Sequence, residues 1–200
     1  MVSGHGREAY ERARAAVDKG QFENALAAVE EAFAKEPADA PIRELYVGLN
    51  LARAIKLAAR ARDLRRLDIV ERGIPLEEEF QDSPRVREAF EESIASFDKV
   101  LAVEPDSEKG LTLKASALHR FDRAGRRSEA LDLLRRVASA NPQNRQVQLA
   151  IRKIERVCDE CSDSGFCPHC AGRGYRTTLS MKRQCNVCWG QGICLKCGIL

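Results

Sequence analysis

Eight cysteines fall within the last 43 residues of this 200-residue chain, and the preceding 157 hold none. They form four CxxC pairs: Cys158/Cys161, Cys167/Cys170, Cys185/Cys188 and Cys194/Cys197, separated by five, fourteen and five residues. Two thiolates at that spacing reach one Zn²⁺ from a single tight turn, so eight supply two tetrahedral sites with none left over. A segment this short should depend on metal for its fold, because each structural zinc contributes roughly 10–16 kcal/mol of folding free energy. The expected cofactors are two Zn²⁺.

A secreted disulfide scaffold is the competing reading of eight cysteines, but scaffolds rarely group every cysteine into CxxC. No apolar run is long enough to span a bilayer, and the stretch from Met1 to Gly6 is unlike a signal peptide. The expected location is cytoplasmic or another reducing compartment, where thiols favour metal over disulfides. Net charge is +3. Residues 158–200 carry +2, which two four-thiolate zinc sites would turn to −2. That end therefore lacks the basic face that an electrostatic grip on nucleic acid requires.

The first 157 residues are rich in Ala, Leu, Glu, Arg and Lys, which favour helix. Their punctuation recurs. Lys35-Glu36-Pro37 closes one segment, Val103-Glu104-Pro105 another 68 residues on, and Asn141-Pro142 a third 37 residues further. A period near 34 is that of helix–turn–helix repeats. The reading is about seven helices, with two clear repeats bracketing a degenerate middle. There Ile42, Leu45, Tyr46, Leu49 and Ala52 form a stripe that Arg60, Arg62, Arg65 and Arg66 should interrupt. Gly73-Ile74-Pro75 marks a looser connection, and Ser83-Pro84 starts a helix through Val86, Phe90, Ile94, Phe97 and Leu101. A last helix with Val147, Ile151 and Ile154 caps the stack and leads to Cys158.

This part resembles the tetratricopeptide repeat family. Gly20, Phe22, Ala25, Ala32 and Pro37 stand where the family places its turn glycine, its small residues and its closing proline, as do Gly125, Ala130, Leu134, Val137 and Pro142. The chain departs at Ala9, Arg12 and Ala13, where the family favours an aromatic, Leu and Gly. The resemblance implies an α-solenoid with a concave protein-binding groove. Some members clamp the C-terminal carboxylate of heat-shock chaperones, but Arg12 and Ala16 stand where Lys and Asn would be expected.

The cysteine pairs continue into glycine. Cys167-Pro168-His169-Cys170-Ala171-Gly172-Arg173-Gly174 and Cys185-Asn186-Val187-Cys188-Trp189-Gly190-Gln191-Gly192 are full CxxCxGxG motifs. The first pair runs Cys161-Ser162-Asp163-Ser164-Gly165, with Asp163 replacing a glycine, and Gly198 follows the fourth. Such glycines can curl backbone N–H groups toward sulfur. Residues 171–184, with Tyr175, Thr177, Thr178 and Leu179, can form a β-hairpin that returns the third pair to the second.

Residues 158–198 resemble the cysteine-rich zinc segment of DnaJ-type chaperones. The resemblance implies nested sites: zinc 1 on Cys158, Cys161, Cys194 and Cys197, zinc 2 on Cys167, Cys170, Cys185 and Cys188. The fold class expected for the whole is mainly α, a TPR-like solenoid over residues 1–157 followed by a small hairpin-rich double-zinc domain over 158–200. No J domain and no His-Pro-Asp triplet is present, so stimulation of a chaperone ATPase is not expected. The β-rich client-binding domains of DnaJ are absent too. Phe166, Tyr175, Val187, Trp189, Ile193, Leu195 and Ile199 form either a client-contacting face or a small core nucleated by zinc.

No nucleophile–base pair is recognisable, so no catalytic residue is expected. His5, His119 and His169 read as structural or peripheral, and the arginines at 60–66 and 120–127 as solvated helix faces. The expected function is that of a non-enzymatic adaptor, co-chaperone or assembly factor, with repeats binding a partner and the zinc segment contacting a protein client. The alternatives are thiol–disulfide exchange at zinc-bound thiolates and RNA or DNA binding through zinc ribbons and arginine-rich helices.

Overall fold

The computed structural model describes residues 4–72 and 81–197. Gly73-Ile74-Pro75, Gly198 and Ile199 lie outside the described residues. Seven helices occur among those described: α1 (Gly4–Asp18), α2 (Phe22–Lys35), α3 (Ala40–Arg72), α4 (Pro84–Val103), α5 (Glu108–Phe121), α6 (Arg127–Ala140) and α7 (Arg145–Glu155). A two-stranded antiparallel sheet follows, β1 (Tyr175–Thr178) and β2 (Met181–Gln184). No helix is long and apolar enough to cross a membrane, among the described residues.

Three turns repeat one design. After α2, α4 and α6 the capping residues Glu36, Glu104 and Asn141 each donate an N–H to a carbonyl four back, Ala32, Val100 and Val137. A proline follows at 37, 105 or 142, and the next helix opens three residues later. The proline cannot continue the helix and biases its predecessor toward extended backbone. Asp39 and Asn144 then cap α3 and α7 by accepting from the N–H groups of Ile42 (3.0 Å) and Val147 (3.1 Å).

Each helix packs mainly on its sequence neighbours. Small residues permit the approach: Ala9, Ala13, Ala25 and Ala32 are fully buried between α1, α2 and α3. The larger core lies at the other end, where Leu111, Leu118, Ala130, Leu134, Val147 and Ile154 join α5, α6 and α7. Ala25, Ala32, Ala130, Leu134 and Val137 are all buried.

The middle corrects one expectation. Arg60, Arg62, Arg65 and Arg66 do not interrupt the helix, and α3 runs unbroken for 33 residues, a rod about 50 Å long. Arginine is itself a good helix former, and the buried stripe continues beneath it through Ala54, Leu57, Ala61 and Ile69. With the 20-residue α4, α3 makes a pair longer than its neighbours, and its surplus turns reach the cysteine-rich segment.

Arg60, Arg62 and Arg66 are exposed, as expected of a solvated helix face, but Arg65 is not. Arg65 donates to Asp82 through both Nε and Nη2, to the carbonyl of Arg120 (2.5 Å) and to that of Phe121 (3.2 Å). Its guanidinium also lies 4.5 Å from the centre of the Phe90 ring. One side chain thus ties α3 to the entry of α4 and satisfies the carbonyl end of α5.

Candidate metal centre

Among the described residues of the cysteine-rich segment, every buried one is a cysteine or a glycine: the eight cysteines with Gly165, Gly172, Gly174 and Gly192. No apolar core replaces them among the described residues. Phe166, Tyr175, Val187, Ile193 and Leu195 are half-buried around the edge, while Trp189, Met181 and Leu179 are 70%, 53% and 88% exposed. His169 is exposed and lies outside both thiol clusters.

The chain folds on itself through the hairpin. Leu179 and Ser180 link β1 to β2 with φ of 49° and 64°, the two left-handed residues of the turn type whose twist suits a two-residue hairpin. Tyr175 is thereby registered opposite Gln184, and the N–H of Cys185 bonds the Gly174 carbonyl at 2.9 Å. The second pair is so brought to the third. A second crossing, with Phe166 opposite Ile193, brings the first pair to the fourth. There the N–H of Cys167 meets the Gly192 carbonyl (3.0 Å) and that of Cys194 the Gly165 carbonyl (2.9 Å).

Two groups of four sulfurs result: Cys158, Cys161, Cys194 and Cys197 in the outer cluster, Cys167, Cys170, Cys185 and Cys188 in the inner. Within each, the ligand atoms lie within 4.8 Å of one another. The separations Cys158–Cys194, Cys161–Cys197 and Cys170–Cys188 are 3.9, 3.4 and 3.6 Å. A tetrahedron with Zn–S bonds of about 2.3 Å has edges of about 3.8 Å, so the donor sets fit a thiolate-bound metal. Either group could hold one ion, and the two are compatible with two zinc sites.

The backbone is shaped to stabilise charge on sulfur. The N–H groups of Glu160 and Cys161 point at Cys158, and those of Val187 and Cys188 at Cys185. Burial pushes both thiols up, but these donors, with hydrogen bonds from the neighbouring cysteine thiols, more than offset it and bring them down to about 7. For Cys167, Cys170, Cys194 and Cys197 burial prevails and holds the thiol above its ordinary range.

In the inner cluster the N–H groups of Gly174 and Gly192 donate to Cys170 and Cys188, each at 3.3 Å, the contacts the CxxCxGxG pattern foretold. These two glycines are required twice over. Their φ values are 79° and 72°, and a Cβ on either would collide with the carbonyl oxygen of Gly190 or Gly172 respectively.

Sequence reasoning missed what adjoins the outer cluster. Arg123, just past the end of α5, donates from Nη1 to Cys197 Sγ at 3.0 Å. Asp163 holds the left-handed conformation (φ 67°) where the neighbouring motifs carry glycine. Its carboxylate accepts from Arg127 and from the N–H of Cys158 (3.4 Å), and lies 3.8 Å from Arg123. The one signal available was Asp163 itself, an acid in a glycine position. Between the helical part and this segment lies a cleft of about 920 Å³ whose walls include Arg65, Ile69, Arg120 and Arg123 on one side and Asp163 and Phe166 on the other.

Fold and site together define a mainly helical protein whose C-terminal cysteine-rich region carries two clusters able to hold metal. The chain matches no known family, no curated protein and no solved structure.

Proposed function

We propose that this chain is a non-enzymatic adaptor or co-chaperone-like assembly factor, with TPR-like repeats binding a protein partner and a DnaJ-type two-zinc segment contacting a client. The observation that carries the reading is the cysteine-rich segment's inverted distribution of residues. Its interior is thiol and glycine, while Leu179, Met181 and Trp189 lie largely in solvent. Large apolar side chains that a small fold does not need inside are available for an unfolded or partly folded chain. The equivalent proline turns after α2, α4 and α6 support the repeat half of the reading.

The alternatives draw less support. Thiol–disulfide exchange needs an accessible thiolate, and all eight cysteines are at most 7% exposed. Nucleic-acid binding through the arginine-rich helices would have to do without Arg65, Arg123 and Arg127, which are bonded to carboxylates, main-chain carbonyls or sulfur.

The test uses zinc-loaded full-length protein against a permanently unfolded client, a reduced and carboxymethylated secretory protein, with suppression of thermal aggregation of a reporter enzyme as second readout. Wild type should bind and suppress. The Leu179→Ser, Met181→Ser, Trp189→Ser triple variant should keep its zinc and its melting temperature yet lose most binding. Equal binding by the variant would refute the client face.

A further inference from the structure

The two clusters are bonded to different parts of the chain. Inner-cluster sulfurs take N–H groups from Gly174 and Gly192 of their own motifs. In the outer cluster, Cys197 takes one from Arg123, 74 residues earlier in the chain. We propose that the outer metal site is a composite of both parts of the molecule, with Arg123 and Arg127 supplied by the helical part and Asp163 of the segment receiving them, all three as positioning residues. The inference rests on the metal-binding reading of the clusters.

Three observations carry it. The first is charge. A four-thiolate site holding Zn²⁺ bears −2, and the nearest cation to its sulfur is the Arg123 guanidinium, whose side chain is only 11% exposed. A charge-assisted hydrogen bond in so dry a place is stronger than its surface equivalent. The second is Asp163, which occupies a glycine position of the motif and keeps the glycine-like backbone. Aspartate tolerates that conformation better than most residues, and its carboxylate joins the outer knuckle, at the Cys158 N–H, to Arg127 of α6. The third is fit. A Cβ at Gly165 would strike Arg123 Nε at 2.6 Å, and one at Gly172 would strike Ile69 Cδ1 at 2.9 Å, so the segment's glycines admit α3 and the end of α5 at close range.

Metal in the outer cluster fixes Cys158, Cys161 and Cys197 relative to one another, which presents sulfur and Asp163 together to the two arginines. Linkage makes the effect reciprocal. The docked helical part strengthens the outer site, and the outer metal holds the segment on the helices. The inner sulfurs Cys170 and Cys188 take their N–H bonds from their own motifs, so the inner site should respond less to both.

The experiment loads the full chain with ¹¹³Cd²⁺ and follows the two expected resonances, alongside chelator competition for each site with Zn²⁺. Arg123→Ala should shift one resonance and weaken that site about 10- to 100-fold, leaving the other unchanged. Arg123→Lys, which keeps the charge without the fork, should fall between. Asp163→Gly restores the motif's glycine and serves if Arg123→Ala does not fold. It should weaken the same site and speed tryptic cleavage at Arg156, between α7 and Cys158. Two resonances insensitive to these changes, or two sites weakened alike, would overturn the composite site while leaving metal binding intact. A wild-type chain that takes up no metal would remove the reading beneath it as well.

Discussion

Replacing Gly192 by alanine isolates the contribution of backbone geometry to the inner cluster. The residue has φ of 72°, where an L side chain costs about 1–2 kcal/mol. Its Cβ would press on the Gly172 carbonyl, and relief requires the loop to shift away from Cys188, breaking the 3.3 Å N–H bond to that sulfur. A hydrogen bond to a charged group contributes about 1.5–3 kcal/mol. The two effects together come to about 3–5 kcal/mol, which is roughly two to four orders of magnitude in inner-site affinity. Gly192 takes no part in the cores that join the helices, which should hold. The assay is competition with a chromogenic zinc chelator, with far-ultraviolet circular dichroism as the check on the helical part. One zinc should be lost at chelator concentrations that leave the other bound, with little loss of helical signal. Two zincs retained at wild-type affinity would refute the argument that this glycine shapes the site, and loss of both together would refute its locality.

Metal removal should act on one part of the chain. Chelation by EDTA should abolish protection of residues 158–197 from amide exchange while most helical dichroism persists, because nothing but thiol and glycine is buried in that segment. Arg65→Ala should lower stability by about 3–5 kcal/mol in chemical unfolding, since it leaves Asp82, with its side chain 11% exposed, without its partner. Arg65→Lys should recover little of this, lacking the fork that reaches Asp82 and two carbonyls at once. His119 is 2% exposed, and burial, then Arg123, lower its pKa from 6.5 to about 4. The unfolded chain takes its proton near 6.5, so this residue's contribution is complete above that pH and is lost as pH falls toward 4. It amounts to about 3 kcal/mol. His119→Gln should flatten the dependence of urea unfolding on pH between those values, and an unchanged slope would rule the histidine out.

The parts of the molecule written in local pattern were legible from the sequence. Proline positions 37, 105 and 142 set the turns because a proline's effect needs no tertiary context. The nested grouping of cysteines, which the chaperone resemblance implied, and the hairpin at 171–184 are both present. The continuity of α3 was not legible, since a run of arginines looks like a break in an apolar stripe until Ala54, Leu57 and Ala61 are seen buried beneath it. Nor was the work of Arg65, Arg123 and Arg127. Arginine is solvated by default, and only the arrival of Asp82, Asp163 and Cys197 from elsewhere in the chain gives these three their partners. Nor was the placement of the segment's apolar residues, of which Phe166, Tyr175, Val187, Ile193 and Leu195 lie half-buried at the edge and Trp189 in solvent.

An interior made of cysteine and glycine alone leaves the exposed side chains of that segment with little part in its folding. Its surface is in effect a blank label. Side chains on the hairpin and around the knuckles can be exchanged wholesale while the ions keep the backbone in place, so long as the arginine contacts to Asp163 and Cys197 survive. New binding specificity can therefore be written onto this end of the molecule by changing residues such as Leu179, Met181 and Trp189, with no compensating change inside.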